Sequence, residues 1–112
     1  MRFHATAAAC ALATTFLLPS AAQAADGTFA YSFQSRQGPM TTVLTDPPSG
    51  QCLLLPEVMG PDADKSAYAP RNETDSVAVG FTGPRCAGDG FAMRPHGGAM
   101  SQRVKLRSVV FS

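Results

Sequence analysis

Beyond residue 24, no stretch of this chain carries apolar residues at helical spacing over even two turns. What recurs instead is alternation. Phe29, Tyr31 and Phe33 stand at every second position with small or polar residues between them, the spacing of a strand with one buried face. Ten glycines and nine prolines cut the chain into pieces too short for helices. Residues 28–34, 41–45 and 51–55 read as strands, divided by turns at Gln37-Gly38-Pro39 and Asp46-Pro47-Pro48-Ser49-Gly50. Residues 56–73 hold three prolines and read as a long surface loop with one short strand near Tyr68. Alternation resumes at Val77, Val79 and Phe81 around Ala78 and Gly80, recurs at 91–93, and closes the chain over 104–111. Short strands with turn signals every ~8–12 residues predict an all-β sandwich or barrel.

The first 24 residues differ in kind. Arg2 and His4 open the chain, an apolar run covers 5–18, Pro19 and Ser20 break it, and Ala22-Gln23-Ala24 offers small residues before a cut after Ala24. This is the three-part pattern of a secretory signal peptide. The apolar run is short of the roughly 20 residues that a membrane-crossing helix needs. The expected product is therefore exported, free of the membrane after cleavage, and a single domain over 25–112. Removing 24 of the 112 residues leaves 88, with one histidine (His96) and two cysteines (Cys52 and Cys86).

In an oxidising compartment two cysteines read as one disulfide. Closing a loop of 35 residues removes chain entropy worth about 4 kcal/mol. Two thiols and one distant imidazole, without CxxC spacing, make a zinc site improbable and no metal is expected. Loss of Arg2 leaves eight basic residues against eight acidic ones, so the chain has no electrostatic footprint for nucleic acid. His96, between Pro95 and Gly97-Gly98, reads as a solvated loop residue. No GxSxG, HExxH or phosphate-loop motif accompanies it, so neither catalysis nor a cofactor is expected.

An internal repeat is visible. Tyr31 precedes Gly38 by seven residues, Phe81 precedes Gly88 by seven, and the two pairs lie 50 residues apart. Ser66 and Ser108 then open short runs that end in Tyr68 and Phe111. The physical logic is an aromatic lying over a hairpin, a glycine at positive φ in that hairpin, and a serine hydroxyl tying it down. This aromatic-x6-Gly…Ser pattern resembles the Greek-key signature of the βγ-crystallin fold. The chain is similar in particular to a secreted actinobacterial branch, the peptidase inhibitors of crystallin-like fold. The similarity lies in Gly50-x-Cys52-x-x-Leu55-Pro56, Asn72-x-Thr74, Phe81-x4-Cys86-x-Gly88 and the closing Ser-aliphatic-aromatic run.

The resemblance implies a small Greek-key β-sandwich of βγ-crystallin-like type and non-catalytic inhibition of extracellular peptidases. The chain departs from the family in two respects. Before Ser66 only Asp62 fits the crystallin calcium pattern, and before Ser108 stand Arg103, Lys105 and Arg107 with no oxygen ligand, so no calcium is expected. Family members also tend to carry more than one disulfide, where this chain has cysteines for one.

Two surfaces are candidates for recognition. The loop 56–73 offers Pro56, Glu57, Pro61, Asp62, Asp64, Tyr68 and Pro70; a proline-stiffened loop near a disulfide loses little entropy on binding. Arg103, Lys105 and Arg107 form a basic ridge if they share one strand face. The expected partner is an extracellular peptidase or a cell-wall component, and the protein itself is expected to be monomeric. An antimicrobial or envelope-binding protein, or an extracellular structural protein without a specific ligand, is the alternative. Asn72-Glu73-Thr74 has the form of a glycosylation sequon but reads as a turn leading into a strand.

Overall fold

The computed structural model describes residues 23–59 and 65–112. The expected signal peptide up to residue 22, together with Pro61, Asp62 and Asp64, lies outside the described residues.

The aromatic alternation at the start becomes β1 (Gly27–Ser35), which turns through Arg36 and Gln37 into β2 (Gly38–Thr45). Phe29 and Tyr31 face inward and are essentially inaccessible. β3 (Cys52–Leu54) follows the Pro/Gly turn, and β4 spans Ala67–Thr74. The second half supplies β5 (Ala78–Phe81), β6 (Gly90–Met93), β7 (Gly98–Ala99), β8 (Lys105–Leu106) and β9 (Ser108–Phe111).

Two antiparallel sheets result. The first has the order β2-β1-β4-β7, with β8 also paired to β4; the second has the order β3-β9-β5-β6. Each half of the chain thus keeps three of its own strands together in one sheet; the first half gives β3 to the opposite sheet, and the second gives β7 and β8. β3 pairs with β9, and β7 pairs with β4. The molecule is an all-β sandwich built of two interlocked Greek-key motifs. Its core joins Phe29, Tyr31 and Phe111 to Leu55, Leu106, Val109 and Met93. Phe29 and Phe111 meet edge to face across the sheets at 5.4 Å, a preferred aromatic geometry.

The structure corrects two readings and decides which face of β5 is buried. Residues 67–73, expected within a surface loop that held one short strand near Tyr68, instead belong to an eight-residue strand, β4, in the middle of the first sheet, with Pro70 buried. A proline is tolerated there because the β1–β4 ladder breaks register between Ala30 and Ser32, where Ala69 takes φ 53°. The extra residue is a bulge, and Pro70 needs no ladder donor in it. Lys105 and Arg107 do not share a strand, because the chain changes sheets at Arg107, between β8 and β9. In β5 the small residues face inward: Ala78 and Gly80 are buried, whereas Val79 and Phe81 are half-exposed and Val77 is 37% exposed. A Cβ on Gly80 would lie 2.7 Å from the Phe91 ring, so that core position is filled from the neighbouring strand.

The repeat survives in topology, but only its second copy has the expected hairpin. There Phe81 lies on the outer face against Gly90, Gly88 takes φ 81°, and Ser108 Oγ binds both the Cys86 N–H (2.8 Å) and the Gly83 carbonyl (2.7 Å). In the first copy Tyr31 points into the core instead. The Gly38 turn is held by Ser35, whose hydroxyl donates to the Gly38 carbonyl and accepts from the Gln37 N–H. Among the described residues no hydrogen bond joins Ser66 to that turn. The two glycines should respond unequally to alanine. At Gly38 (φ 108°) the new Cβ meets nothing within 4 Å, whereas at Gly88 it would lie 2.5 Å from Thr82 Oγ1. We expect Gly38→Ala to cost about 1 kcal/mol and Gly88→Ala about 2–3 kcal/mol in urea unfolding.

Candidate functional site

The base of the candidate loop is built on the core. Leu55 is fully buried and its N–H bonds the Arg107 carbonyl at 3.2 Å. Pro56 then starts a single 3-10 turn, Pro56–Val58, a position suited to proline because its fixed φ matches the turn and no donor is lost. Val58 is 3% exposed, Glu57 points outward, and the Arg107 guanidinium donates to the Val58 carbonyl at 3.0 Å. Arg107, expected on an outer ridge, is thus half-buried and clamps the loop base. The candidate loop thus ends before Ala67, where β4 begins. Pro56 and Glu57 sit at its base, while Tyr68 and Pro70 belong to the strand at its end.

Glu57 also accepts a 2.6 Å hydrogen bond from the Tyr31 hydroxyl. Burial of Tyr31, then the hydrogen bond and negative charge of Glu57, hold the phenol well above the ordinary tyrosine range. The folded chain therefore keeps a proton that the unfolded chain releases near pH ~10. Stability should be constant below that pH and fall as pH rises through the folded value. Denaturant titrations at a series of alkaline pH values check this. Tyr31→Phe should lower stability by about 1 kcal/mol at neutral pH and flatten the alkaline decline.

The disulfide joins Cys52, the first residue of β3, to Cys86 in the second hairpin, as the cysteine count predicts. It pins the outer edge of the second sheet directly before Leu55. On the opposite sheet lies an open concavity of about 530 Å³ lined by Gln34, Lys65, Ser66, Tyr68, Gln102 and Lys105. Gln34 Nε2 donates to the Tyr68 hydroxyl at 3.2 Å, and Lys105 Nζ sits 4.8 Å above the Tyr68 ring, a cation–π distance. Of the three ridge residues, Arg103 and Lys105 are exposed, and only Lys105 reaches this concavity.

His96 lies outside both places. It is exposed at φ 50°, with Nδ1 4.0 Å from Glu73 Oε1, while the other oxygen of that carboxylate, Oε2, pairs with Arg71 Nε at 2.8 Å. Among the described residues no three His, Cys, Asp or Glu side chains converge on one point. The sequence reading missed Arg107 as a clamp and Glu57 as the Tyr31 partner. Neither was detectable from spacing, because both contacts join segments far apart in the chain.

The fold and this corner define a class: a disulfide-tied, all-β Greek-key sandwich presenting a loop from a rigid base. Comparison with family models, curated proteins and solved structures returns no match for this chain.

Proposed function

We propose that the protein is a secreted, non-enzymatic binding protein that inhibits an extracellular peptidase by occlusion through residues 56–66. The observation that carries the reading is the immobilised loop base. Leu55 and Val58 are buried, Arg107 holds the Val58 carbonyl, Glu57 holds Tyr31, and the Cys52–Cys86 bond lies just upstream. A loop whose base is already ordered pays little entropy on docking. The family resemblance supplies the peptidase as partner, and the leader-like residues 1–24 supply the extracellular setting.

The test is residual activity of a metallopeptidase, a subtilisin-like and a trypsin-like enzyme, each titrated with the oxidised protein. A sharp stoichiometric loss with one class is expected, weakened by Glu57→Ala. No loss with any of them, while the protein stays intact, rejects the proposal for those classes. A second reading, an envelope-polymer binder, is favoured by the Gln34–Tyr68–Lys105 concavity, where an aromatic, two amides and lysines line one open surface. It predicts binding to wall polymer that weakens as salt rises and with Lys105→Ala.

A further inference from the structure

Among the described residues β2 is the outermost strand of the first sheet, and its ladder is with β1. That ladder runs without a shift from Thr28↔Thr45 to Ser35↔Gly38. Pro39 sits opposite Gln34 and has no N–H, so this pair is not a hydrogen-bonded one. Antiparallel ladders alternate, so Met40, Thr42 and Leu44 bond to β1. Thr41, Val43 and Thr45 therefore direct their N–H and C=O groups away from the sheet, and Pro39 adds a carbonyl.

Such edges are ordinarily blunted by charge, by a bulge, or by a covering segment. The eight residues Gly38–Thr45 carry no charge and no bulge, and their one proline lies at the turn end. Met40 and Val43 are 47% and 53% exposed. Among the described residues no strand covers this edge.

We propose that β2 is a self-association edge, pairing antiparallel with β2 of a second copy about a two-fold axis through Thr42. Three observations favour a second copy over a foreign strand. In this register every outward N–H finds a carbonyl: Thr41 bonds Val43 of the other copy, Val43 bonds Thr41, and Thr45 bonds Pro39. The exposed Met40 then lies opposite Leu44 of the other copy. The ends match in charge, because the turn bearing Arg36 comes beside the corner bearing Asp46, twice over. A two-fold axis sets each strand against its own copy, and the lack of charge between these ends removes the repulsion that ordinarily forbids this. The product joins two five-stranded sheets edge to edge. With one strand on each side the interface is small, so association is reversible and concentration-dependent.

Sedimentation velocity on the oxidised protein over a concentration series should show a monomer–dimer equilibrium. Val43→Lys sets two lysines near one another across the axis and should weaken the dimer at least about tenfold. Its circular dichroism and thermal midpoint should stay unchanged, since the side chain is solvent-facing. Independently, Thr42→Cys faces its own copy at a Cα separation of about 4.5 Å, within disulfide reach, and should cross-link on mild oxidation. Monomer at every concentration, a dimer indifferent to Val43→Lys, or no cross-link through position 42 would overturn the proposal. Capture of an added extended peptide without self-association would also overturn it, by assigning the edge to a foreign strand.

Discussion

Replacing Cys52 and Cys86 together by serine is expected to lower the unfolding free energy by about 4 kcal/mol and the thermal midpoint by roughly 20 °C. The bond closes a long loop between residues separated by 34 positions, and long loops release the most chain entropy when opened. The native state also loses an anchor, because the bond fastens β3, which lies in the sheet of the other motif, to the hairpin of that motif. Small domains have about 5–15 kcal/mol to lose in total, so the reduced protein should be marginal at physiological temperature. Scanning calorimetry of the oxidised, reduced and double-serine forms checks this. A shift of only a few degrees would mean that packing, not the crosslink, holds β3 in place.

The second large effect is expected at Asn72. This side chain is 1% exposed and uses both ends of its amide. Nδ2 faces the carbonyls of Ser76, Met93 and Arg94 at 2.9, 3.1 and 3.0 Å, while Oδ1 accepts from the Thr74 N–H at 3.1 Å and the Thr74 hydroxyl at 2.7 Å. One amide thus ties the end of β4 to the β4–β5 corner and to the end of β6. Asn72→Ala removes the partners of several buried and part-buried backbone groups, and the deletion leaves their desolvation uncompensated. We expect a loss of about 4 kcal/mol in urea unfolding, against about 1–2 kcal/mol for Thr74→Val. Equal small effects would show that water replaces the amide without cost. The same burial gives the Asn72-Glu73-Thr74 triplet a structural reason to exist that is independent of glycan attachment.

How the sequence could show so much of the fold, and where it failed, follows from what each signal measures. Phe29, Tyr31 and Phe33 announced β1 because their alternation reports a buried face locally. The glycines at 38 and 88 announced turns because positive φ is costly for other residues. Pro70 misled for the same local reason: its cost in a strand is real, but the bulge at Ala69 removes it, and a bulge exists only between paired strands. Val77, Val79 and Phe81 announced β5 in the same way, but alternation marks two faces without saying which is inside; the Phe91 ring against Gly80 and the Phe111 residue opposite Ala78 decide that. In the candidate site the cysteine pair was legible by elimination. Arg107 on Val58 and Glu57 on Tyr31 were not, being contacts across 49 and 26 positions.

The exchange of third strands between the two motifs dictates an order of events during folding. β1 and β2 are neighbours in sequence and can pair on the microsecond scale of a hairpin. β3 has no partner until β9, the last strand of the chain, has been delivered. The second sheet therefore cannot close on an incomplete chain, and neither half is a folding unit alone. Refolding should be slow for a domain of this size, on the millisecond-to-second scale of non-local β topologies. Two separately made halves, divided at the β4–β5 corner between Thr74 and Ala78, should be unfolded apart and recover the sandwich only when mixed.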